Sequence, residues 1–198
     1  MSGIGRQAKV LTPGDLRRLL ALTNKSKFPE RDRVMVLLAV RAGLRAREIA
    51  GLTWGMVRDA SGRIAPMVEV RDVIAKRGSG RRVPMHPQLH NALTVWRDYQ
   101  TDEHLQPDAV VIRSLKGGAM RAKSVVNWFI AICREAGLAG ASSHSGRRTF
   151  ITRAARAAHR AGASILDVQM LAGHRSIETT QGYIDGDTDA QRRLVRAL

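Results

Sequence analysis

The stretch "MVEVRDVIAKRGSGRRVPM", Met67 to Met85, is where this sequence stops reading as helix. The change begins near Val57 and ends at Met85. β-Branched and polar residues mix through "MVEVRDVIAK" (67–76) and "RRVPM" (81–85), which predicts two strands. Between them "RGSG" (77–80) reads as a hairpin turn, with Lys76 at its tip.

On both sides of this segment the signals are helical. "LTPGDLRRLLAL" opens a helix in which Thr12 caps, Pro13 suits the first turn and Asp15 faces the positive helix end. "ERDRVMVLLAVRAG" is a second helix closed by Gly43, and "RAREIAGLTW" a short third one. Beyond the strands, "HPQLHNALTVWRDYQ" puts Leu89, Leu93 and Trp96 on one face. "AVVIR" reads as a short buried strand or extended segment. "RAKSVVNWFIAICREAGL" predicts an amphipathic helix ending at Gly137, and "HSGRRTFITRAARAAHRAG" a helix ending near Gly162. "SILDVQMLAGH" and "SIETTQGYI" are two short helices, and "TDAQRRLVRAL" is a small one built on Leu194, Val195 and Leu198. The fold class is α+β: mostly helical, with a small antiparallel sheet inserted after the first helices. At 198 residues, without repeat or linker, one domain is expected.

Charge narrows the partners. Lys plus Arg number 33 against 17 Asp plus Glu, a net charge of +16, which points to a polyanion such as nucleic acid. The longest apolar run, Val34 to Val40, is far short of a membrane span. The start, "MSGIGRQAKV", lacks the apolar region of a signal peptide. Cys133 is the single cysteine, so no intramolecular disulfide forms, and a cytoplasmic protein is expected. Trp54, Trp96 and Trp128 lie among aliphatic residues and read as core.

Four stretches carry candidate chemistry. "GLRAREIAGL" offers Arg45, and "AKRGSGRR" offers Lys76. "HSGRRTF" offers His144 and Arg147, three apart and so on one helical face. "LAGHRSIETTQGYID" offers His174 and Tyr183. Singly, each is an ordinary surface charge or packing group. His86 and His90 have helical metal-ligand spacing but no third ligand, and no HExxH, Walker or GxGxxG pattern occurs.

Together, and in this order, Arg45, Lys76, His144-x-x-Arg147, His174 and Tyr183 resemble the tyrosine recombinase (phage integrase) family. The resemblance runs from about Leu11 to Asp185 and is to the catalytic domain of that family. "AGLRAREIAGLTW" resembles its first arginine box, with the acidic residue at Glu48. "HSGRRTF" resembles the second box, and "LAGHRSIETTQGYI" the Leu-Gly-His and nucleophile segments. The resemblance implies a site-specific DNA recombinase that cuts and rejoins DNA through a 3′-phosphotyrosyl intermediate. It implies no metal, no ATP and no other cofactor. Tyr183 is then the nucleophile and His144 the acceptor of its proton. Arg45 and Arg147 hold the non-bridging phosphate oxygens, and His174 adds a hydrogen bond. Lys76 protonates the departing 5′-hydroxyl, and Glu48 orients its basic neighbours. Arg77, Arg81, Arg82 and Arg148 are expected to contact DNA.

Two glycines depart from the family pattern. Gly146 stands where a leucine is usual, which predicts looser packing beneath Arg147. Gly182 precedes Tyr183, which predicts a weakened helix interior and a mobile nucleophile. The expected organisation is a single catalytic domain over 1–198: an extension (1–10), a core (11–185) and a tail (186–198), with no N-terminal core-binding domain. The implied partners are double-stranded DNA, other copies of the chain in a tetrameric synapse, and accessory DNA-bending proteins, with no membrane. The protein would then sit in the cytoplasm and join the nucleoid when bound. A non-cleaving DNA-binding regulator of the same fold is the alternative. A metal-dependent nuclease is a third reading, opposed by the lack of a carboxylate or histidine cluster.

Overall fold

The computed structural model describes residues 8–183 and 195–196. The expected extension up to residue 7 and most of the tail helix lie outside the described residues. The elements run α1 (Pro13–Thr23), α2 (Pro29–Arg41), α3 (Ala46–Gly51), β1 (Met67–Val70), β2 (Arg81–Pro84), α4 (Pro87–Asp98), α5 (Ala122–Glu135), α6 (Ser143–Ala158), α7 (Ile165–Ala172) and α8 (Ile177–Gln181). Single 3-10 turns lie between α3 and β1, between α4 and α5, and after α6.

The core is built around α2. Every side chain from Val34 to Val40 is buried, so this part of the helix is apolar all round rather than on one face. It packs against α1, α4 and α6. Burying a side chain such as Leu37 stabilises the fold by about 1.5–3 kcal/mol. Thr12 and Asp15 form the capping box that starts α1. Trp54 and Trp96 are buried, and Trp128, partly covered, meets Phe129 edge-on at 5.0 Å. Cys133 is buried too, which pushes its thiol up to about 11 and leaves it unreactive at neutral pH. A small second cluster of Ile151, Val168 and Ala172 ties α6 to α7.

The sheet is a two-stranded antiparallel ribbon, with Met67 opposite Pro84 and Val70 opposite Arg81. It is shorter than the sequence pattern predicts. The first strand ends at Val70, so residues 71–80 form a long connection rather than a tight hairpin turn. Two local effects bend the chain away. The Asp72 carboxylate accepts from the Gly80 amide at 2.7 Å, and Ile74 and Ala75 turn inward to join the core. Of the two readings of "AVVIR" the structure shows the extended segment: it makes one bridge, Thr53 to Val110, and buries Val111 and Ile112. Among the described residues no helix is long and apolar enough to cross a membrane.

Candidate active site

Helix ends deliver most of the predicted residues to one place. Arg45 is the residue just before α3, His144 and Arg147 sit in the first turns of α6, and His174 follows the left-handed turn at Gly173 that ends α7. Tyr183 follows the last turn of α8. Lys76 comes from the β1–β2 connection. All six line one cleft of about 510 Å³.

Arg147 is the buried floor of this cleft, 5% exposed. Its terminal nitrogens donate to the carbonyls of Gly43, at 2.6 Å, and Ala172, at 2.5 Å. One side chain thereby joins the loop before α3 to the end of α7. Burial, then the charges of Arg45 and Arg81, push its guanidinium down to about 10, which leaves it charged at neutral pH. The expectation that Gly146 loosens the packing beneath it is corrected. A Cβ on Gly146 would lie 2.7 Å from the Ala39 Cβ, so the glycine permits a tight approach of α6 to α2.

Glu48, 1% exposed, is the acidic centre of the cluster. It accepts from the Arg45 amide at 2.8 Å and from the Arg45 guanidinium at 2.8 Å. It also takes both terminal nitrogens of Arg81, at 3.0 and 2.9 Å. Burial alone would raise its carboxyl, but the hydrogen bonds and charge of Arg81, with those from Arg45, hold it down at about 2.

His174 is partly buried, and its Nδ1 lies 3.0 Å from the hydroxyl of the fully buried Thr180. Burial first, then the charges of Arg147, Arg45 and Arg81, lower its pKa to about 4, so the ring is neutral at neutral pH. The Tyr183 ring stacks on it, centroids 5.4 Å apart and planes 27° from parallel. The Arg148 guanidinium lies over the same tyrosine ring at 5.3 Å. Tyr183 also packs against the Ile151, Val168 and Ala172 cluster. Gly182 is the cap of α8 rather than an interior residue, with an ordinary φ of −61°, so the expected helix penalty does not arise there. His144 and Lys76 are the two exposed members of the set.

The four arginines expected on DNA separate. Arg77 and Arg82 are exposed, the latter 3.6 Å from Glu69. Arg148 covers the Tyr183 ring. The Arg81 side chain is only 4% exposed and faces Glu48, so the expectation that it meets DNA is corrected. Sequence reasoning missed Arg81 as a buried partner of Glu48, and Thr180 as the partner of His174. Arg81 has no local signal, being 33 residues from Glu48, whereas Thr180 is only six residues from His174. His86 is a helix cap whose Nδ1 accepts from the Gln88 amide at 3.1 Å. Among the described residues no group of three or more His, Cys, Asp or Glu could hold a metal ion.

The phage integrase family model matches residues 9–189. The chain belongs to the phage integrase family. Curated members are similar over most of it. Tyrosine recombinase XerC of Corynebacterium glutamicum is 31% identical over 170 residues, covering 86% of this chain and 51% of that protein. Tyrosine recombinase XerD of Shewanella oneidensis is 31% identical over 181 residues, covering 87% and 55%. This family member thus spans about half the length of the curated relatives it matches. The crystal structure of XerA recombinase superposes with a TM-score of 0.73 at 22% identity, covering 98% of this chain and 66% of that one. XerH site-specific recombinase, bound to palindromic difH substrate in a post-cleavage complex, superposes at 0.73 and 20% identity, covering 98% and 56%. These two likenesses are of fold.

Proposed function

We propose that this chain is the catalytic part of a site-specific DNA recombinase that cuts and rejoins DNA through Tyr183. The observation that supports this is one cleft lined by a tyrosine, four arginines, two histidines and a lysine. The Tyr183 phenol oxygen attacks a backbone phosphorus, and its proton passes to His144. A tyrosyl O–P bond forms to the 3′ end and the P–O5′ bond breaks. Lys76 supplies the proton that the leaving 5′-oxygen needs. Arg45 and Arg147 hold the non-bridging oxygens, where charge builds up. The two carbonyl contacts of Arg147 use one hydrogen on each terminal nitrogen, so a second hydrogen on each remains for phosphate. Neutral His174 serves as the tautomer with its proton on Nε2, which donates to phosphate while Nδ1, 3.0 Å from the Thr180 hydroxyl, is left to accept. One phosphodiester replaces another, so rejoining needs no ATP. The partners are double-stranded DNA, further copies of the chain across a synapse, and DNA-bending proteins, all in the cytoplasm.

The test is a covalent adduct. Incubated in EDTA with a nicked duplex from the DNA flanking its gene, the chain should form a protein–DNA species stable to SDS. Tyr183→Phe should abolish it. An adduct that survives this substitution removes Tyr183 as nucleophile. Specific binding without any adduct from the unsubstituted chain would favour a non-cleaving regulator.

A further inference from the structure

The strand and the turn that lead to Lys76 and His174 are joined by contacts that the chemistry itself does not use. Arg81, the first residue of β2, does not line the cleft. Its Nη1 and Nη2 donate to the two oxygens of Glu48, and its Nε donates to the Leu171 carbonyl at 2.8 Å. One rigid guanidinium therefore ties β2 both to α3 and to the last turn of α7. A second tie lies beside Lys76, where Arg175 donates to the Arg77 carbonyl. A third is steric. Gly173 has φ +61°, and a Cβ there would lie 3.0 Å from the Arg81 Cδ and 3.2 Å from the Ser79 carbonyl. The turn that carries His174 thus rests directly on the Lys76 connection.

We propose that Arg81 is a positioning residue for Lys76: it docks the lysine-bearing connection onto the His174 turn and onto the Glu48–Arg45 pair. The proposal rests on the reading of Lys76 as the acid for the leaving oxygen. The phosphate side of the cleft has independent supports, because Arg147 holds the Ala172 carbonyl and Thr180 meets His174. The Lys76 connection is exposed from Lys76 to Gly78, and apart from the Arg175 tie at Arg77 its own links are local: Ser79 to the Lys76 carbonyl and Gly80 to Asp72. Loss of Arg81 should therefore misplace the acid more than the phosphate cradle. A lysine in its place keeps the charge but not the three-way planar geometry.

Arg81→Met and Arg81→Lys test this on the nicked duplex from the flanking DNA, made with oxygen or sulfur at the 5′ bridging position of the scissile bond. A sulfur leaving group departs without a proton, since thiols have a pKa of about 8.5. With oxygen, adduct formation should slow by about 10²-fold, the scale of a lost general acid. With sulfur, both variants should approach the unsubstituted rate. An equal loss on both substrates, or none on either, overturns the proposal. Hydrogen exchange tests the docking without DNA. In Arg81→Met the amides of residues 76–80 should exchange about tenfold faster or more while those of α2 stay protected, because hydrogen bonds to a charged group are lost. An unchanged connection overturns the proposal. If the connection loosens but the unsubstituted chain forms no adduct, the docking role stands and the recombinase reading falls.

Discussion

Two buried arginine–carboxylate sites in this molecule are balanced differently. At the start of α2, Arg31 and Asp32 pair one to one at 2.7 Å, with side chains 7% and 3% exposed, and Arg31 also donates to the Arg113 carbonyl. Beside the cleft, the single carboxylate of Glu48 serves both Arg45 and Arg81, while Arg147, among the described residues, donates to two carbonyls. The first site is neutral and closed. Among the described residues the second carries an excess of positive charge, one carboxylate against three guanidinium groups. Both depend on the same side-chain chemistry; the difference in charge count separates a closed structural pair from the site proposed above to take a phosphate.

The largest effect should come from breaking the balanced pair. Asp32→Ala leaves Arg31 buried and uncompensated, and should lower the unfolding free energy by about 3–5 kcal/mol in urea denaturation. A loss much smaller than that would break the comparison. The cleft should respond in the opposite sense. Arg147→Met removes a charge that Arg45 and Arg81 repel, so its stability loss should be smaller than that of Asp32→Ala. Its adduct formation should nevertheless fall by about 10²–10³-fold, the cost of one lost oxyanion donor. Parallel urea melts and adduct time courses on the two variants measure both halves.

The smallest effect is a pH dependence. His174 has a folded pKa of about 4 against an ordinary 6.5, so the unfolded chain takes up the proton first. Its contribution to stability is complete above pH 6.5 and is lost as the pH falls toward 4. Glu48 acts lower: its contribution is present above about 4.5 and is lost toward 2. His174→Gln should therefore flatten the stability curve between pH 6.5 and 4 and leave the fall at lower pH in place. Urea midpoints taken stepwise across that range read the slope; an unaltered slope would mean that burial and the neighbouring arginines do not depress His174.

Much of the fold was legible because its signals are local. Thr12 with Asp15 at the start of α1, and the left-handed Gly43 and Gly137 just beyond α2 and α5, mark helix ends through local geometry. What was misread depended on distant partners. The first strand looked long because the apolar residues continue past Val70, yet Ile74 and Ala75 belong to the core, with Asp72 turning the chain. Gly146 looked like a gap because the nearness of Ala39 on another helix has no trace in the sequence around it.

The sequence by itself determined the helical order, the inserted ribbon, the excess of positive charge and the residue types able to attack and hold a phosphate. Tertiary structure alone decided how that charge is arranged. It buried Arg81 against Glu48, sank Arg147 onto two carbonyls and set Tyr183 against His174 and Arg148. The physical reason is that burial and neighbouring charge set what an arginine or histidine does, and both are fixed by residues far away along the chain.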